Sequence, residues 1–133
     1  MKEKEVIIYH NPDCGTSRNV LGLIRNAGIE PLIIEYLKTP PSKQELQTLI
    51  HSAGLKPSEA LRKNVSEFDA LKEQELSEDQ VIDQMLLTPI LINRPFVVTA
   101  KGTALCRPSE KVLEILTQPQ TDSFYKEDGE KVI

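Results

Sequence analysis

The sequence is poor in the residues that staple a chain or hold a metal. Its 133 residues include only two cysteines, Cys14 and Cys106. A secreted disulfide scaffold carries more of them in a shorter chain, so two free thiols in a reducing compartment are expected. Histidine is as scarce, with His10 and His51 well separated. The close pairings of a zinc site are missing, and no metal is expected. No apolar run approaches the ~20 residues of a membrane span. The opening MKEKEVIIYH carries charges of both signs and lacks the apolar core of a secretory signal, so a cytoplasmic protein is expected. Positive charge is also short: 16 Lys and Arg face 20 Asp and Glu, for a net charge of −4. That speaks against a nucleic-acid binder, which carries a basic face. Any anion site has to come from local clustering.

What remains is an ordinary globular balance, 39% hydrophobic and 27% charged. The length suits one domain with a core of its own. EVIIYH (5–10) is β-branched and apolar and predicts a strand buried on both faces. From Ser17, Val20, Leu23, Ile24 and Ala27 follow helical spacing, and Gly28 suits the C′ position. PLIIEYL (31–37) predicts a second strand, which makes a parallel pair with a right-handed crossover. A helical block follows over 42–88, with capping boxes at Ser42/Glu45 and Ser77/Gln80 and short helices between them. PFVVT and TALC, joined by AKG, predict a hairpin. Pro108 and Ser109 open a last helix, and 118–133 is a polar tail in which Phe124 and Tyr125 are the candidates for ordering. The order is βαβ, a helical insertion, then ββα. This is the layout of an α/β, thioredoxin-like domain: a mixed four-stranded sheet with helices on both faces.

In that layout the reactive residue follows the first strand, and Cys14 stands there. A free thiol, with a pKa of ~8.5, is mostly protonated at neutral pH. A helix N-terminus offers unpaired N–H groups and partial positive charge, so Cys14 is expected to titrate below the free value. His10 can act by charge, if protonated, or by hydrogen bonding that fixes the loop. Cys106, in the predicted strand beside Leu105, is expected to pack.

Five arginines occur against eleven lysines. Arg18 and Arg25 fall on the first helix, Arg25 on a solvated face. Arg62, Arg94 and Arg107 stand at breaks in structure, two of them before proline. Arginine's planar fork matches a tetrahedral oxyanion, so convergence of these three near a thiolate would make an oxyanion site. Pro95 occupies the place where the thioredoxin-like layout puts a cis proline facing the active cysteine.

The stretches HNPDCGTSRN, ALRKNVSE, TPILINRPFVVT, GTALCRPSE and KEDGEKV resemble the glutaredoxin-coupled arsenate reductases of enteric bacteria, from about residue 6 to the C-terminus. The resemblance implies Cys14 as nucleophile, with His10 and Ser17 lowering its pKa. It implies Arg62, Arg94 and Arg107 as the oxyanion-binding residues. It further implies arsenate as substrate, glutathione as co-substrate, glutaredoxin as protein partner and no bound cofactor. Ser17 in place of a second cysteine means that no local disulfide closes, so electrons come from an external thiol. Two other readings share the layout. A thiol-stress transcription regulator would carry the Cys-x-x-Cys switch that Ser17 removes. A glutathione-dependent thiol reductase without arsenate activity would not need three oxyanion arginines. A tyrosine-phosphatase-like reductase needs Cys-x5-Arg, and Val20 stands where its arginine would be.

Overall fold

The computed structural model describes residues 6–133. Four strands form one mixed sheet: β1 (Ile7–His10), β2 (Leu32–Glu35), β3 (Phe96–Thr99) and β4 (Gly102–Leu105), in the order β2-β1-β3-β4. β1 runs parallel to β2, pairing Ile8 with Ile33, and antiparallel to β3, pairing Tyr9 with Phe96. β3 and β4 form the expected hairpin. The register sets the C-terminal end of β1 beside the start of β3. Glu5, placed in the first strand by its sequence, lies outside the described residues. β1 is central, yet only Ile8 and His10 are buried, while Ile7 and Tyr9 are half-covered. The expectation of a strand buried on both faces holds for one face.

The chain forms two compact units. One comprises the chain up to Glu35 together with Arg94–Ile133; the other is Tyr36–Asn93. In the first, α1 (Gly15–Asn26) lays Val20, Leu23 and Ile24 against Val6, Ile8 and Val97. Each of these large aliphatic side chains contributes about 2 kcal/mol when fully buried. Ala27 caps α1, and Gly28 follows at φ +75°, the left-handed conformation that ends helices. The expected last helix is a 3-10 segment, Ser109–Glu114, which buries Val112. Its i→i+3 bonding shows in the Lys111 N–H, which donates to the Pro108 carbonyl, and the Ile115 N–H, which donates to that of Val112.

The tail is more ordered than its polarity suggests. Phe124 N–H donates to the Ile133 carbonyl, Val132 N–H to that of Phe124, and Lys126 N–H to that of Glu130. Tyr125 bridges Lys131, so residues 124–133 make a small hairpin. Phe124, Val132 and Ile133 pack on the core, whereas Tyr125 is 57% exposed and does not anchor it.

The second unit holds α2 (Lys43–Ser52), a 3-10 turn at Pro57–Ala60, α3 (Ser66–Asp69), α4 (Glu78–Leu87) and a 3-10 turn at Pro89–Leu91. Both predicted capping boxes form: Ser42 with Glu45 on α2, and Ser77 with Gln80 on α4. Leu46, Ile50, Ile82 and Met85 line its interior, and Lys43 on α2 pairs with Asp79 and Asp83 on α4. Leu61 bridges Ile92, which ties the residue after the Pro57–Ala60 turn to the residue after the Pro89–Leu91 turn.

Candidate active site around Cys14

β1 ends at His10, and the next four residues turn the chain into α1. Asn11 and Asp13 suit such a turn because a short side chain can bond the backbone two residues on. Here Asp13 N–H donates to Asn11 Oδ1 at 2.9 Å, and Cys14 N–H donates to the Asn11 carbonyl at 3.0 Å. Cys14 is thereby the N-cap of α1. Its Sγ accepts from the Ser17 N–H at 3.5 Å, the bond that serine or aspartate makes in most helices. A sulfur in this place meets the unpaired donors and positive end of the helix, both of which favour its anionic form.

Further donors to the sulfur come from the far half of the sequence. Arg107 Nη1 lies 3.7 Å from Cys14 Sγ and donates to the Arg94 carbonyl at 3.2 Å. Arg94 is buried, only 7% exposed. Both arginines precede a proline through a cis peptide bond. The bond at Pro95 matches the expectation from the fold; the one at Pro108 was not anticipated. The Cys14 thiol is pulled two ways. Burial raises its pKa, while the Ser17 N–H, the Arg94 charge and the Arg107 hydrogen bond and charge lower it, and the net shift is downward.

His10 and Ser17 form a buried pair, with His10 Nδ1 2.7 Å from Ser17 Oγ. The same hydroxyl oxygen accepts from the Asn11 N–H at 3.1 Å. Burial holds the His10 imidazole below its ordinary value, against the raising influence of Glu35, so the ring is neutral at pH 7. Of the two roles open to His10, the geometry supports hydrogen bonding: it fixes Ser17, whose N–H then faces the sulfur. Asn11 belongs to this network and was missed in the sequence, although Asn-Pro-Asp before a helix is a turn signal that could have exposed it.

Arg62 belongs to the second unit, where its N–H donates to the Leu91 carbonyl and its Nε to Asn64 Oδ1. Arg25 pairs with Glu30 on the surface, as a solvated position should. Cys106 lies one residue beyond β4, not in it; it is fully buried, its N–H donating to the Pro95 carbonyl. Burial pushes its thiol up to about 12. His51 is exposed in the last turn of α2.

A lowered thiol, two guanidinium groups and a helix N-terminus around one sulfur can direct a nucleophile at an anion. Known proteins are similar to this one along most of the chain. An arsenate reductase of Escherichia coli is 58% identical over 130 residues, covering 96% of this chain and 92% of that protein. One of Acidiphilium multivorum is 56% identical over the same length. The solved structure of an arsenate reductase from Vibrio cholerae superposes with a TM-score of 0.78 at 41% identity, covering 84% of this chain and 97% of that one. The family model described as the ArsC family matches residues 9–115. With a thioredoxin-like sheet and a cysteine at the start of its first helix, the chain belongs to the ArsC family.

Proposed function

We propose that this protein reduces arsenate to arsenite, with Cys14 as nucleophile and glutathione and glutaredoxin as electron donors. The observation that carries the reading is the sulfur itself: an N-cap thiol held below its ordinary value by Ser17, Arg94 and Arg107. The names of the similar proteins supply the substrate.

The Cys14 thiolate attacks arsenic, forming an S–As bond, and an arsenate oxygen departs as water. Arg94 and Arg107 neutralise the oxyanion as the two anions approach, work suited to fixed guanidinium groups in a partly buried site. Arg62 is assigned as a third oxyanion ligand on the sequence resemblance alone. Neutral His10 positions Ser17. The glutathione thiolate then adds to arsenic with loss of a second water. A glutaredoxin thiol attacks the glutathione sulfur and breaks its bond to arsenic. The pair of electrons stays on arsenic, which passes from As(V) to As(III), and the two outside thiols leave as a mixed disulfide. Water releases arsenite and restores the Cys14 thiol. External thiols are required because Ser17 offers no resolving sulfur and Cys106 is buried and protonated. A compartment with ample glutathione, the cytoplasm, fits this demand.

The test is arsenate-dependent NADPH oxidation with glutathione, glutaredoxin and glutathione reductase. Wild type turns over and Cys14→Ser loses essentially all activity; an inactive, folded wild type overturns the assignment. A thiol-stress regulator would show no arsenate turnover.

A further inference from the structure

We propose that the C-terminal hairpin is part of the nucleophile's support, with Glu127 and Arg18 acting as positioning residues that fix the turn carrying Cys14. The inference rests on the reading of Cys14 as nucleophile and adds a device remote from it in sequence.

The turn Asn11–Cys14 is closed on its inner side by the bonds to Asn11. Its outer side, Pro12 and Asp13, is exposed. The Pro12 carbonyl accepts from Arg18 Nη1 at 2.7 Å, so one guanidinium spans from the first turn of α1 back to the turn before it. A long side chain seldom holds one place at a surface. Here it does, because Glu127 engages its other two nitrogens: Nε donates to Oε2 at 2.7 Å and Nη2 to Oε1 at 2.9 Å. A bidentate pair fixes the plane of the guanidinium as well as its position, and so aims the third nitrogen, Nη1, at Pro12.

An exposed ion pair usually matters little, because both partners wander. Glu127 is delivered by a packed hairpin instead. Its own N–H donates to Asn19 Oδ1 at 3.1 Å. Lys126, only 13% exposed, pairs with Glu110 at 2.8 Å. Phe124 lies so close to α1 that a Cβ on Gly22 would stand 2.8 Å from its ring carbons. Gly15, Arg18, Asn19 and Gly22 follow the i, i+3, i+4, i+7 pattern of one helix face. A Cβ at Gly15 would stand 3.7 Å from both Arg18 Nη2 and Glu127 Oε1. One stripe of α1, starting at the residue after Cys14, thus meets the tail along its length. The contacts that activate the sulfur, 3.5 Å from the Ser17 N–H and 3.7 Å from Arg107, are long enough to weaken steeply if the turn shifts.

The experiment is the pH profile of Cys14 alkylation by iodoacetamide in Glu127→Gln, Arg18→Lys and the control Glu73→Gln, an exposed carboxylate of the second unit, all checked for folding by circular dichroism. Electrostatics alone and positioning predict opposite signs. Arg18 faces the carboxylates of Glu127 and Asp13 as well as the Cys14 thiolate. Removing the Glu127 charge would by Coulomb's law favour the thiolate and lower the apparent pKa. Loss of positioning raises it. The expected result is a rise of half a pKa unit or more in both Glu127→Gln and Arg18→Lys, seen as a roughly threefold slower alkylation at pH values below the wild-type pKa, with Glu73→Gln unchanged. A fall or no change in Glu127→Gln overturns the proposal, as does an equal rise in Glu73→Gln. The readout needs no arsenate, so it stands apart from the substrate assignment. With turnover in hand, Glu127→Gln should lower kcat more than it alters the arsenate KM.

Discussion

Two thiols in one small protein are set apart by their neighbours. Cys14 meets an N–H at the head of a helix and two guanidinium groups. Cys106 meets apolar core, and burial drives its thiol up to about 12. A raised thiol pKa means the neutral, unreactive form at every pH below it. Native protein treated with iodoacetamide at pH 7–8 should therefore take one label, on Cys14, and a second only after denaturation. Mass spectrometry reads both, and fast double labelling would contradict this account of Cys106. Replacing Cys106 by alanine should cost about 1 kcal/mol in packing and leave turnover largely intact. The local half of this chemistry was legible in the sequence, because strand, Pro-Asp-Cys-Gly and a helical stripe together place a sulfur at a helix start. The neutrality of His10 was not, since it depends on burial that its immediate neighbours do not reveal.

Helices announce their ends more clearly than their type. Ser42 and Ser77, each with a Glu or Gln three residues on, cap α2 and α4 as expected, because capping is chemistry between near neighbours. Gly54 ends α2 at φ +75°, and a Cβ there would meet nothing within 4 Å. The cost of Gly54→Ala is thus conformational and not steric. It should destabilise by about 1 kcal/mol, measured as a lower denaturant midpoint with an unchanged slope. An unchanged midpoint would mean that the helix end relaxes to another conformation. The 3-10 form of Ser109–Glu114 was not legible, since six residues carry too few turns to distinguish the two periods. The tail hairpin had a local signal in Asp128-Gly129, but its docking depends on Phe124 meeting Gly22, a fit between elements that pattern alone does not encode.

At the scale of the molecule, the sheet order explains how one site draws on both ends of the chain. β1 and β3 are antiparallel neighbours, so residues just after β1 and just before β3 share one end of the sheet. Arg107, immediately past the next strand but one residue, returns to the same end, 93 positions from Cys14. Arg107→Ala should raise the Cys14 pKa toward that of an ordinary thiol. Because a lowered pKa keeps thiolate present at neutral pH, the variant should alkylate severalfold more slowly at pH 7 and match wild type only at high pH. A profile identical to wild type would remove Arg107 from the activation of the sulfur. The three arginines were legible as candidates because each interrupts a pattern. The approach of Arg94 and Arg107 to Cys14 was legible only through the resemblance, since no local feature pairs residue 14 with residue 107.

That arrangement has a consequence for synthesis. Cys14 leaves the ribosome 93 residues ahead of Arg107. Until the second half of the sheet is in place, the sulfur lacks both guanidinium groups and has only the donor at the head of its own helix. The full lowering of the thiol therefore arrives only with the completed fold.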